Sequence, residues 1–205
     1  MTKISMVENA KATACKLVGA SIFVEAVISG RWRDKIESIR RTYQMTMEQT
    51  GGDSKRASAA ISRIKRKLPA VIWAGEFSKR EANGLKEYSG LLVIDLDHLG
   101  TMLTKAKEKL SSDPHVFACF VSPSGNGLKA VFNVPSDIER HADAWATAAK
   151  RVESLTGIKV SAVGTRTFVP DVERPSLCAL SLLRPHVATM LNTKPCDSMS
   201  KRNIH

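Results

Sequence analysis

The sequence predicts an α+β fold, and three observations carry that prediction. Short apolar runs rich in Val, Ile and Leu are bounded by Gly, Pro, Ser and Asp, as strands are. Between them stand amphipathic stretches with apolar residues three or four positions apart, as on the buried face of a helix. At 205 residues, 43% apolar and 25% charged, the chain has the make-up of a globular protein with one sizeable core, or one core and a smaller appendage.

Residues 17–24 are apolar and β-compatible and read as an early strand. Trp32, Ile36, Ile39 and Tyr43 recur at helical spacing, and Gly51-Gly52 ends that helix. A second helix buries Ala57, Ala60, Ile61, Ile64 and Leu68 and is closed by Pro69. Residues 70–73 read as a short strand and 75–78 as a turn. The run 91–96 reads as a buried strand, 101–110 as a helix stopped by Asp113-Pro114, and 116–121 and 128–134 as two strands around a Ser-Pro-Ser-Gly turn. Ser136 and Glu139 form a capping box at the start of a helix. Its buried stripe is Ile138, Ala142, Trp145, Ala149, Val152 and Leu155, and Gly157 ends it. Strands are expected at 158–163 and 177–182, and residues 193–205 read as a polar tail or linker.

The formal charge is +11, and it is uneven: residues 1–90 hold 17 Lys/Arg against 9 Asp/Glu, the remainder 14 against 11. A basic first half suits polyanions. Arg40 and Arg41 on the first helix, and Arg63, Lys65, Arg66 and Lys67 on the second, point to phosphate contact. Four cysteines with no C-x-x-C pair exclude a zinc-ribbon pattern and a disulfide framework, and Cys119 and Cys178 read as core thiols. No apolar run approaches the roughly 20 residues needed to cross a bilayer, so no membrane partner is expected. The opening residues lack the apolar core of a signal peptide, and the cytoplasm is the expected location.

Chemistry concentrates in two segments. Asp95 and Asp97 close the apolar run Leu91-Leu92-Val93-Ile94, and residues two apart on a strand face the same way. Two adjacent carboxylates need compensation, so removing one is expected to relieve repulsion in the absence of a cation. Oxygen ligands of this kind suit Mg²⁺ or Mn²⁺. The second segment, Ser122-Pro123-Ser124-Gly125-Asn126-Gly127-Leu128-Lys129, is a glycine-bearing turn able to offer backbone N–H groups and a lysine to a polyphosphate. It is neither a Walker A loop nor a G-x-G-x-x-G, and a plain hairpin connection is the simpler alternative. Together the segments suggest a nucleotide held on metal. His98 reads as a turn residue beside the clamp, and Trp32, Trp73 and Trp145 occupy core-like positions.

The order Leu68-Pro69-Ala70-Val71, Gly75-Glu76-Phe77, Ser89 to His98, Ser122 to Lys129 and Asp171-Val172-Glu173-Arg174 resembles the primase-polymerase domain of the archaeo-eukaryotic primase superfamily, nearest its VirE-N-like branch in mobile-element replication proteins. The resemblance implies one domain over residues 1–192. It comprises a basic N-terminal α/β unit at 17–89 and a mixed-sheet catalytic core, related to the RNA-recognition-motif fold, at 90–185. It also implies Asp95, Asp97 and Asp171 as catalytic metal ligands. Ser122, Ser124, Gly125, Asn126, Gly127, Lys129 and Arg174 would hold the nucleotide, with Lys129 standing where many relatives carry a histidine. One departure is visible: the third carboxylate of the family falls where Ser161 stands here, and the resemblance leaves Asp171, ten residues on, either as its substitute or as the match to a second, less central aspartate.

Two readings follow. The first is a template-directed nucleotidyltransferase, a DNA primase or polymerase in the replication of a mobile element or phage. It would use Mg²⁺ or Mn²⁺, nucleoside triphosphates and a single-stranded or primed DNA template, with a replicative helicase as a further partner. The second is a non-catalytic DNA-binding module of a replication initiator. A phosphatase of the haloacid-dehalogenase type is disfavoured, because the later paired acids of that class are missing.

Overall fold

The computed structural model describes residues 1–81 and 83–160. Among them are five α-helices and three antiparallel sheets, a mixed α+β arrangement. The first sheet has order β2-β1-β3, with β1 (Lys3–Val7) between β2 (Lys16–Gly19) and β3 (Ala70–Ile72). The strand expected over 17–24 stops at Gly19, where helix α1 (Ala20–Ile28) begins. Ala20, Phe23, Val24 and Val27 are its buried residues, a helical spacing that the uniformly apolar run conceals.

Helix α2 (Arg33–Gln49) buries Ile36, Ile39 and Tyr43 as their spacing predicts. It ends where the Gly52 N–H donates to the Met47 carbonyl at 2.8 Å. Helix α3 (Ser54–Lys65) starts on the Asp53 side chain, which accepts from the N–H groups of Lys55 and Arg56. The segment 75–78, expected as a turn, contains a strand: β4 (Gly75–Phe77) pairs with β5 (Leu85–Tyr88) in a small two-stranded sheet.

The third sheet positions the site. It is built from β6 (Leu91–Leu96), β7 (Val116–Val121) and β8 (Leu128–Asn133) in the order β6-β8-β7. A 3-10 turn and helix α4 (Leu103–Ser111) connect β6 to β7, and helix α5 (His141–Thr156) follows β8. The expected mixed sheet is corrected for the described strands: β6 and β7 run parallel, but β8 inserts between them and pairs antiparallel with both.

Both faces of this sheet are covered, which explains why β8 reads as an almost unbroken apolar run. Leu92, Ile94, Leu128, Ala130 and Phe132 pack with Ala106 and Leu110 of α4 and with Ala149 and Val152 of α5. The opposite face, with Leu91, Phe120 and Val131, shares a cluster with Phe23, Ile39, Ile61 and Trp73. Cys119 is buried, and desolvation pushes its thiol up to about 11. The expected capping box is replaced by Asp137, whose carboxylate accepts from the Glu139 N–H at 3.1 Å and caps a 3-10 turn. Helix α5 starts only at His141, so Ala142 is exposed and the buried stripe falls on Ala148, Ala149, Val152 and Thr156. Residues 158–160 form no strand: the Val160 N–H donates to Glu153 Oε1. The remaining expected strand residues, Ser161, Asp171, Arg174 and Cys178 lie outside the described residues. No helix among the described residues is long and apolar enough to cross a membrane.

Candidate functional site

Strand alternation sorts β6. Leu92, Ile94 and Leu96 point to the α4/α5 side, whereas Leu91, Val93 and Asp95 point to the side covered by the N-terminal helices. Asp95 stands opposite Lys129 in the β6/β8 register, and Lys129 Nζ donates to Asp95 Oδ1. The pair is asymmetric. The Lys129 side chain is 9% exposed and that of Asp95 40%, so the cation lies in the sheet and the carboxylate looks out. Asp97 is exposed just beyond the strand. The repulsion expected between two bare carboxylates is therefore answered from within the fold, because Lys129 already pairs with Asp95.

The Ser122–Gly127 turn is held against the end of β6 by close backbone approach. A Cβ on Gly127 would lie 2.6 Å from the Leu96 carbonyl oxygen and 3.3 Å from Asp97 Oδ1, so only glycine fits without displacement. Within the turn, the Gly125 N–H donates to Ser122 O and the Ser122 N–H to Gly127 O. Two amides that the sequence offered to a phosphate are thus already engaged. The hydroxyls of Ser122 and Ser124 lie 3.1 Å apart. Asn126 acts as a strap: its Oδ1 accepts from the Gly100 N–H at 3.0 Å and its Nδ2 donates to the Tyr43 hydroxyl at 3.4 Å. His98 holds φ of 59°, a left-handed conformation that turns the chain directly after Asp97.

Two further cations converge here from the N-terminal helices. Lys65 is largely buried at the end of α3, and burial pushes its ammonium below the ordinary lysine value; Lys129 adds to the fall while Asp97 and Asp95 oppose it. Arg40 of α2 lies over the turn, its Cγ, Cδ and Nε 3.7–3.8 Å from where a Gly125 Cβ would be. Burial also lowers the Arg40 pKa, with Glu37 opposing. Among the described residues, Arg40 Nε and Nη2 are buried without a hydrogen-bond partner. Buried guanidinium donors in that state are rare in folded proteins and fit an anion site at the turn.

The six basic residues expected to grip nucleic acid are therefore divided by the fold. Lys65 faces the carboxylates and Arg40 the turn, whereas Arg63, Arg66 and Lys67 line a separate groove and Arg41 is exposed. A sequence signal for this division exists. Arg40 stands four residues after buried Ile36, and Lys65 four after buried Ile61, which places each cation on a core-facing stripe rather than a solvated face.

Asp95 and Asp97 have no third carboxylate, histidine or cysteine grouped with them among the described residues. Two carboxylates nonetheless fit Mg²⁺, which commonly takes one or two protein oxygens and completes its octahedron with water and substrate phosphate. The profile of one family, described as BT4734-like, N-terminal domain, matches residues 63–179, more than half of the chain. The chain belongs to that family. Its matched span contains β6, the Ser122–Gly127 turn and Lys129. This match corrects the expected membership of the archaeo-eukaryotic primase superfamily and its VirE-N-like branch: nothing in it points there. No curated protein and no solved structure matches the chain.

Proposed function

We propose that the cleft between β6, the Ser122–Gly127 turn and the N-terminal helices binds the phosphate chain of a nucleoside triphosphate on a divalent cation and transfers its nucleotidyl group. The observation that carries this reading is the convergence of Arg40, Lys65 and Lys129, from three different elements, on the side of the sheet where Asp95 and Asp97 emerge. A polyphosphate with its cation presents alternating charge, and this cleft offers its complement. When bound, Mg²⁺ or Mn²⁺ would supply charge neutralisation at the phosphates, held by Asp95 and Asp97. Arg40 and Lys65 would orient the outer phosphates, Ser124 would donate a hydroxyl hydrogen bond, and Lys129 would hold Asp95 in place. The run β6–α4–β7–β8–α5 with order β6-β8-β7 supports the relation of this core to split β-α-β-β-α-β folds such as the RNA-recognition motif. A nucleic-acid template is the partner this reading calls for.

A second reading is favoured by one observation. Lys129 occupies Asp95, and no third carboxylate is grouped there among the described residues, an arrangement suited to binding without turnover. Incubation with labelled nucleotides, Mg²⁺ or Mn²⁺ and primed or unprimed single-stranded template separates the two. Incorporation that disappears in Asp97→Asn supports transfer. Nucleotide- and Mg²⁺-dependent thermal stabilisation without incorporation supports the binding module, and absence of both overturns the site.

A further inference from the structure

We propose that a basic groove on the N-terminal unit, separate from the carboxylate cleft, binds single-stranded nucleic acid along its phosphate chain. The groove is a concavity of about 620 Å³. Lys11 and Lys16 line it from the β1–β2 arm, Arg31 from the turn before α2 and Lys35 from the first turn of that helix. Arg63, Arg66 and Lys67 close it from the end of α3, and Glu8 is the one carboxylate on its wall. Among the described residues none of these seven cations forms an ion pair, although the chain makes such pairs elsewhere. Gathering like charges around a concavity opposes folding through mutual repulsion, and a polyanion relieves it.

The lining narrows the class of polyanion. Met6, Trp32 and Pro69 contribute apolar surface, and Arg31 Cζ stands over the Trp32 ring 5.5 Å from its centroid, a cation–π contact on the wall of the groove. Bases stack on aromatic and guanidinium planes, whereas a polyphosphate or an acidic peptide makes no use of them. A flat anionic bilayer reaches the rim of a concave site but not its floor. A duplex hides its base faces, which leaves a single strand as the occupant whose phosphates and bases both find partners. Helix α3 keeps the two sites apart, Lys65 belonging to the cleft and Arg63 and Arg66 to the groove. The inference stands independently of whether the cleft takes a nucleotide.

The test is fluorescence anisotropy of a labelled oligothymidylate with the full chain over a range of salt. The triple variant Lys35→Gln, Arg63→Gln, Arg66→Gln alters three exposed groove residues; the control Lys86→Gln, Lys105→Gln, Lys150→Gln removes equal charge from exposed positions on β5, α4 and α5. Circular dichroism verifies folding of both. The groove variant is expected to bind at least tenfold more weakly, and its salt slope to fall by about 2, because each lost phosphate contact on a single strand removes roughly 0.7. The control should stay within about twofold of the parent. Equal weakening of both variants would reduce the effect to net charge and overturn the groove. Equal competition by duplex, by inorganic polyphosphate or by anionic vesicles would overturn the single-strand assignment.

Discussion

Two ion pairs of the same kind do opposite things in this protein. Asp113, between α4 and β7, has a side chain only 2% exposed, and both its oxygens are engaged: Oδ2 by Arg151 Nε at 2.7 Å and Oδ1 by the His115 N–H at 2.8 Å. Its cation reaches out to water, 41% exposed. In the Asp95–Lys129 pair the burial is reversed, with the cation inside and the carboxylate half-exposed on the side where Asp97 and Lys65 also lie. A pair that buries and satisfies its acid clamps two elements together. A pair that buries its base leaves its acid presented to solvent, so burial order, more than the identity of the partners, decides which charge stays available for contact.

The largest effect is expected at the clamp. Asp113→Ala removes two hydrogen bonds to a charged group and should lower stability by about 3 kcal/mol, read from urea unfolding at unchanged m, while nucleotide binding by the folded fraction stays as it was. Equal stability in this variant would leave the clamp without a role.

Asp95→Ala comes next, at about 2 kcal/mol of destabilisation, because it takes from the buried Lys129 ammonium the carboxylate to which Nζ donates. This reverses the expectation that losing one of two neighbouring carboxylates relieves strain, and a variant more stable than the parent would restore it. Lys129→Met sharpens the comparison from the other side. It leaves an exposed carboxylate that water can solvate, so stability should change by less than about 1 kcal/mol, whereas triphosphate affinity measured by titration calorimetry should fall about tenfold. A variant that unfolds but binds normally when folded would make Lys129 a second clamp.

The smallest effect concerns pH. His141, at the start of α5, shares a 2.8 Å hydrogen bond with the Tyr88 hydroxyl, and burial holds its pKa below the ordinary histidine value of 6.5. The unfolded chain therefore takes up this proton first, so the contribution is full above the ordinary value and is lost as pH falls through it. Melting temperature followed from about pH 7.5 to 5.5 should show this decline, and His141→Gln should flatten it. An unchanged slope would assign the decline to other groups.

Elements whose signals are local are legible from the residues alone. Ile36, Ile39 and Tyr43 locate α2 by spacing, and the boundaries of β6 and β7 fall where apolar runs meet turn residues. Asp95 and Asp97 were legible as carboxylates at one strand end, although β6 stops at Leu96 and only Asp95 lies on the strand. Where period and hydrophobicity conflict, the sequence misleads: residues 20–24 are so uniformly apolar that a helix looks like a strand. Gly75 carries turn chemistry that local reading takes at face value, while its place in β4 depends on pairing with β5, and α5 starts late because Asp137, not Ser136, caps a 3-10 turn ahead of it. Spacing from Ile36 and Ile61 marks Arg40 and Lys65 as core-facing, but what each cation meets there follows only from the packing of the helices. Arg40 and Lys65 carry the same charge as Arg63 and Arg66, yet packing of α2 and α3 brings Arg40 to the Ser122–Gly127 turn and Lys65 to the carboxylates, and leaves Arg63 and Arg66 lining a groove. The physical reason is that a charge's role depends on burial and on what faces it across the chain, and both are set only when separate elements close over one another.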